Sequence, residues 1–144
     1  MSDEGIHYYN EDATFKLEHP QLISHWIKSV FSQENCTFVT INFIYCSDTF
    51  LHELNMKYLQ HDTFTDVITF AYRKAPVEGD IFISIDRITE NAKQYNVDTL
   101  TELYRVMVHG ALHLIGYNDK TKEEQEVMRN MENKYLLLLN LPPN

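Results

Sequence analysis

One stretch, Thr99 to Glu124, constrains the fold of this chain more than any other. It reads as a helix, a tight turn and a second helix. His109 and His113 stand four positions apart, so on a helix their rings lie one turn apart on the same face. Gly116 can end that helix by adopting φ > 0, which only glycine does cheaply. Thr99-x-x-Glu102 and Thr121-x-x-Glu124 both have the pattern of a capping box, so the two helices are expected to start at those threonines. The tether from Tyr117 to Lys120 is short and holds Asp119 close to the imidazoles.

Two imidazoles and a carboxylate in that arrangement form a ligand set for one divalent ion, as in the H-x3-H helices of zinc enzymes. His109, His113 and Asp119 are therefore the candidate metal ligands. Three protein ligands leave an open position for water, which makes a metal-activated water the expected nucleophile. A metallopeptidase would carry a glutamate base directly after the first histidine, and this chain has Gly110 there. Two neutral histidines and one carboxylate leave a divalent centre at a net charge of about +1, against about +2 for three histidines. The carboxylate makes the ion a weaker Lewis acid and widens the choice of metal toward Mn²⁺ or Fe²⁺.

Periodicity gives the remaining elements. Gly5 to Asn10 reads as a short strand, and Pro20 as the first turn of a helix with the apolar stripe Leu22, Ile23, Trp26, Ile27, Val30 and Phe31. Thr37 to Cys46 reads as a strand buried on both faces. Ser47 or Asp48 caps a helix reaching about Tyr58. Asp66 to Tyr72 and Ile81 to Ile85 read as an antiparallel pair joined through Lys74, Pro76 and Gly79. Asp86 is expected to cap a helix to about Tyr95. The last helix is expected to bury Val127, Met128, Met131, Tyr135 and Leu138, and to stop before Pro142-Pro143. No internal repeat or linker divides the chain, so residues 1–144 are expected to form a single metal-dependent hydrolase-like domain.

Charge and composition narrow the function. A net charge of −9 opposes a general nucleic-acid surface, so any RNA chemistry must gather its cations locally. The candidates are Lys57, Arg73, Lys74 and Arg105. The start Met1-Ser2-Asp3-Glu4 has no signal-peptide character, and the longest apolar run, Leu136 to Leu139, is far below the roughly 20 residues of a membrane span. A soluble cytoplasmic protein with no membrane partner is expected. Cys36 and Cys46 flank one strand, so their Cα atoms should lie about 33 Å apart, beyond disulfide reach. No glycine-rich phosphate loop is present, so no nucleotide cofactor is expected. His7, His19, His25 and His52 read as surface or capping residues, and Asp66 and Asp80 as structural.

The residues from His109 to Asp119, HGALHLIGYND, resemble the HGxLHLxGYDH signature of the YbeY family of metal-dependent endoribonucleases, rRNA maturation factors. Three more segments match in order: Leu54 to Tyr58 resembles LNxxY, Thr65 to Phe70 resembles TDVLSF, and Gly79 to Ser84 resembles GDIxIS. The resemblance implies an α+β fold with a small four-stranded mixed sheet flanked by about five helices. It implies a single-strand-specific endoribonuclease acting in ribosomal RNA maturation, at the small-subunit rRNA 3′ end, and in ribosome quality control. The implied partners are single-stranded and ribosomal RNA, with ribosomal proteins besides, and zinc comes first among metals. Two departures stand out. Asp119 replaces the family's third histidine, next to Asn118 in place of Asp, and Leu59 replaces an arginine. His61 falls where the family has a lysine and is a candidate general acid or phosphate contact. A non-enzymatic ribosome-associated module with a structural metal site is the alternative, and a metal-dependent peptidase is a more distant one.

Overall fold

The computed structural model describes residues 5–59 and 65–140. Four strands, β1 (Ile6–Asn10), β2 (Phe38–Cys46), β3 (Val67–Lys74) and β4 (Val77–Ser84), form one sheet in the order β1-β2-β4-β3. The β1–β2 and β2–β4 pairs are parallel and β3–β4 is antiparallel, so the sheet is mixed and β3 is an edge strand. Five helices complete the fold: α1 (Pro20–Gln33), α2 (Asp48–Leu59), α3 (Ile85–Tyr95), α4 (Thr99–Ile115) and α5 (Lys122–Leu138). This is the expected α+β architecture.

The two faces of the sheet are used differently. Ile41, Phe43 and Tyr45 of β2 alternate toward the main core, together with Ile81 and Ile83 of β4. That core also takes Ile23, Trp26, Ile27, Val30 and Phe31 from α1 and the apolar side of α4. On the opposite face a smaller cluster of Cys46, Leu51 and Ile68, with Phe50, Leu54, Phe70 and Phe82 around it, seats α2. Edge strand β3 thus lies between α2 on one face and α4 on the other. Trp26 ties the helical layer together by donating its indole N–H to the Tyr135 carbonyl at 2.8 Å.

Several local expectations need correction. The β3–β4 turn is only Ala75-Pro76, and Gly79 lies inside β4, where its missing Cβ makes room for Leu114. Ser84, not Asp86, caps α3 by accepting from the Arg87 N–H; Asp86 instead accepts from the Asp48 N–H and so supports the start of α2. Ser47 caps α2 through the Phe50 N–H. Helix α4 has Asp98 as N-cap, which leaves Thr99 as the first helical residue and puts Glu102 one position too far to close a capping box. The second box, Thr121 with Glu124, is complete. Both-face burial of β2 holds from Phe43 to Cys46, whereas Val39 is exposed. In α1 Leu22 is exposed, and in α5 so are Val127 and Leu138; the inward positions of α5 include the charged Glu132 beside Met128 and Tyr135. Both cysteines are free. Among the described residues no helix is long and apolar enough to cross a membrane. Pro142 and Pro143 lie outside the described residues.

Candidate metal centre

Helix α4 crosses the sheet closely at Gly110, where an added Cβ would sit 2.6 Å from the Ile81 side chain. The position that would carry a peptidase base is therefore pressed into the sheet. The neighbouring turn of the helix presents His109 and His113 outward, with ring centroids 4.5 Å apart. At Gly116, φ is +129°, and the N–H groups of Gly116 and Tyr117 both bond back to the Leu112 carbonyl at 3.1 and 3.0 Å. This reversal turns the chain so that Asp119 Oδ2 comes within 3.3 Å of His109 Nε2 and 3.4 Å of His113 Nε2. The Gln125 side chain holds the Asp119 carbonyl at 3.1 Å, and the capping box starts α5 directly behind it.

The outer partners of the two rings decide their chemistry. His109 Nδ1 donates to Glu132 Oε2 at 2.7 Å, and His113 Nδ1 donates to the Tyr117 carbonyl at 2.9 Å. A carboxylate and a carbonyl can only accept, so in the neutral rings the proton sits on Nδ1 and the Nε2 lone pair is free. Each imidazole lone pair then faces the same carboxylate oxygen across little more than 3 Å. Three acceptors so placed repel unless a cation or extra protons lie between them. All three ligand atoms fall within 4.8 Å of one another, so the donor set fits a divalent ion.

Glu132 was not among the residues singled out by sequence. It sits on the inward face of α5, almost wholly buried, and also accepts from Arg105 at 2.9 Å, while Arg105 reaches Asn133 at 2.8 Å. A charged residue at an apolar-stripe position was the available signal. Burial alone would raise the Glu132 pKa, but the hydrogen bonds from His109 and Arg105 outweigh it and hold the carboxyl below its ordinary range. For His109 burial disfavours the charged ring, yet Glu132, Asp119 and Asp66 together raise its pKa. Tyr117 was missed as well. Its carbonyl orients His113, and its phenol donates to Glu34 at the end of α1 at 2.6 Å, as Tyr135 also does. That bond to Glu34 pushes the Tyr117 phenol up to about 12.

A cavity of about 350 Å³ opens beside the three ligands. Its wall includes Asn55 and Leu59 of α2, Thr65 and Asp66 just before β3, and Val67 to Thr69 at the start of β3. Asp66 lies there, held by the Asn91 amide at 3.2 Å, and burial raises its pKa. Leu59, where the family resemblance leads one to expect an arginine, is thus part of the cavity wall. Of the four candidate cations, Arg105 is bound to Glu132 and Asn133, while Lys57 lies on α2 and Arg73 and Lys74 at the far end of β3. His61 lies outside the described residues.

Comparison with known proteins places the chain in a family. The family model described as endoribonuclease YbeY matches residues 6–140. A protein of Amoebophilus asiaticus named endoribonuclease YbeY is 55% identical over 139 residues, covering 95% of each chain. Its namesake in Cytophaga hutchinsonii is 41% identical over 140 residues, covering 96% of this chain and 98% of its own. A Thermotoga maritima protein solved in solution superposes with a TM-score of 0.64 at 27% identity, covering 91% of this chain and 86% of its own. The chain belongs to the endoribonuclease YbeY family.

Proposed function

From membership of the endoribonuclease YbeY family we propose that this chain is a metal-dependent endoribonuclease, with one divalent ion on His109, His113 and Asp119. Its substrate is single-stranded RNA, and its role is ribosomal RNA maturation at the small-subunit 3′ end and ribosome quality control. The observation that carries the proposal is the convergence of both Nε2 atoms on Asp119 Oδ2, with each Nδ1 already engaged. The relatives' shared name supplies the reaction class, and the four motif segments supply the ribosomal context.

Each side chain has a definable part. His109 and His113 are neutral donors, aimed by Glu132 and Tyr117, and this outer shell raises their basicity. Asp119 contributes the anionic ligand that lowers the charge of the centre relative to three histidines. A divalent ion held there would supply Lewis acidity toward a phosphoryl oxygen and toward water. Zinc comes first on the resemblance, with Mn²⁺ or Fe²⁺ compatible with the carboxylate. The adjoining cavity offers room for the scissile phosphate, with Asn55 and Asp66 as polar wall residues.

A non-enzymatic ribosome-associated module is favoured by one observation: an apolar Leu59 in the cavity wall where a cation would meet phosphate. The peptidase reading loses its base at Gly110, which packs on Ile81. Incubation with unstructured RNA and with a peptide, with and without chelator, separates the three. Chelator-sensitive RNA cleavage with no peptide hydrolysis is expected. No cleavage of RNA under several divalent metals at low salt would leave the ribosome-associated module.

A further inference from the structure

Beyond the cavity, the α2–β3 flank carries a run of aromatic rings. Tyr58 lies edge-on to Phe70 at 5.8 Å, Phe70 edge-on to Phe82 at 5.8 Å, and Phe82 stacks on Phe50 at 6.2 Å. The inner members are packing residues. The outer ones are not: Tyr58 is 56% exposed and Tyr72 66% exposed. Tyr72 follows Phe70 by two positions in β3, about 7 Å along the strand. Its hydroxyl donates to Asp80 at 2.8 Å, and Asp80 is in turn held by the Asn42 amide at 3.0 Å. Both tyrosine rings are therefore fixed in place while much of their surface stays open. The flank meets the cavity at the edge of β3: the wall residue Ile68 lies two positions before Phe70 on the face that carries α2, and the wall residue Leu59 follows Tyr58 at the end of α2.

Charge identifies the occupant. Lys57 Nζ stands 5.2 Å from the Tyr58 ring centroid, and Arg73 follows Tyr72. Among the described residues neither cation forms an ion pair, although Glu78 stands opposite Arg73 in the sheet. A chain of net charge −9 gains little from long-range attraction of phosphate. Stacking of bases on aromatic rings needs no net charge and tolerates any sequence. Exposed tyrosines, one with Lys57 over its ring and the other followed in sequence by Arg73, suit a single strand of bases and phosphates better than an apolar helix.

We propose that Tyr58 and Tyr72, flanked by Lys57 and Arg73, form a base-stacking track that leads single-stranded RNA into the cavity at His109, His113 and Asp119. The proposal rests on the RNA reading above and names the surface by which the substrate is held. Binding of a short fluorescent oligoadenylate is measured by anisotropy on ice, with strand length checked afterwards on a denaturing gel. The control is the same ribose-phosphate strand without bases. Tyr58→Leu and Tyr72→Leu should each weaken oligoadenylate binding roughly 5- to 100-fold, whereas Tyr58→Trp and Tyr72→Phe keep it. The strand without bases should bind the wild type weakly and be indifferent to the leucine substitutions. Lys57→Ala and Arg73→Ala should each flatten the dependence of log affinity on log salt by roughly 0.7.

Leucine variants that bind oligoadenylate as tightly as wild type, while the wild type cleaves RNA, would overturn the track and leave the nuclease. Tyrosine-dependent binding without any cleavage would support the track and count against the enzyme. Equal binding of the strands with and without bases, no RNA binding at all, or self-association of the protein that the leucine variants abolish would overturn it.

Discussion

Glu132→Gln is the most informative single substitution outside the ligand set. The carboxylate is 6% exposed and accepts from two donors at once, His109 Nδ1 at 2.7 Å and Arg105 Nη1 at 2.9 Å. A glutamine has the same shape but only one oxygen. Whichever way the amide is turned, its NH₂ group faces a donor. If the oxygen turns to Arg105, His109 is driven to expose its Nδ1 lone pair and protonate Nε2, the wrong tautomer for a metal ligand. If it turns to His109, the bond survives but the negative charge that raised the ring's basicity is gone. Loss of such an outer partner costs about 10- to 100-fold in metal affinity, or roughly 1.4–2.8 kcal/mol. Competition against a chromophoric chelator measures it, with circular dichroism as the control for folding. A second readout is the His109 pKa in metal-stripped protein. Burial acts to lower it, and Glu132 is the leading group that reverses this, so the value should fall in the variant. The sign for stability follows. A raised imidazole pKa contributes stability that is fully present below the unfolded value of 6.5 and is lost as pH rises through the folded value, so the variant should lose stability at acid pH. Metal affinity within twofold of wild type, in a folded variant, would refute the reasoning.

Three further outcomes are expected. Gly116→Ala meets no clash but forces an L-residue to φ near +129°, which should cost about 1–3 kcal/mol in thermal or denaturant melts and displace Asp119 enough to weaken metal binding. Asp119→His, which restores the ligand set of the resembled signature, should lower the kinetic pKa of RNA hydrolysis in a pH–rate profile because the centre gains positive charge. Leu59→Arg places a cation in the cavity wall and should increase RNA cleavage and steepen its salt dependence by roughly 0.7 in log–log slope, with peptide hydrolysis still absent.

The local signals that could be read along the chain were those with a strict period or a strict φ requirement. The His109–His113 spacing, the Gly116 reversal and the Thr121 box each depend on neighbours within one helical turn, and the structure brings their residues together as that spacing implies. Features that depend on partners distant in sequence were not readable. Glu132 meets His109 across 23 positions, and Tyr117 meets Glu34 across 83. The apolar-stripe reading of α5 put Val127 and Leu138 inward, where the helix instead turns Glu132 toward Arg105 and His109. The Thr99 box failed because Asp98 takes the cap and Glu102 is buried, with its pKa raised by desolvation and by Asp66. Cations spaced along the sequence gave no hint that Arg105 would be spent on Glu132 while Lys57 and Arg73 stay unpaired among the described residues.

The central claim, that RNA cleavage runs on one divalent ion at His109, His113 and Asp119, is tested most directly by titrating metal into chelator-stripped protein while following cleavage of unstructured RNA. Activity should return in proportion to added metal and level off at one ion per chain, and His113→Ala should fail to recover at the same metal concentrations because its affinity is at least roughly tenfold weaker. Cleavage by the stripped protein, or an identical titration curve for His113→Ala, would contradict it.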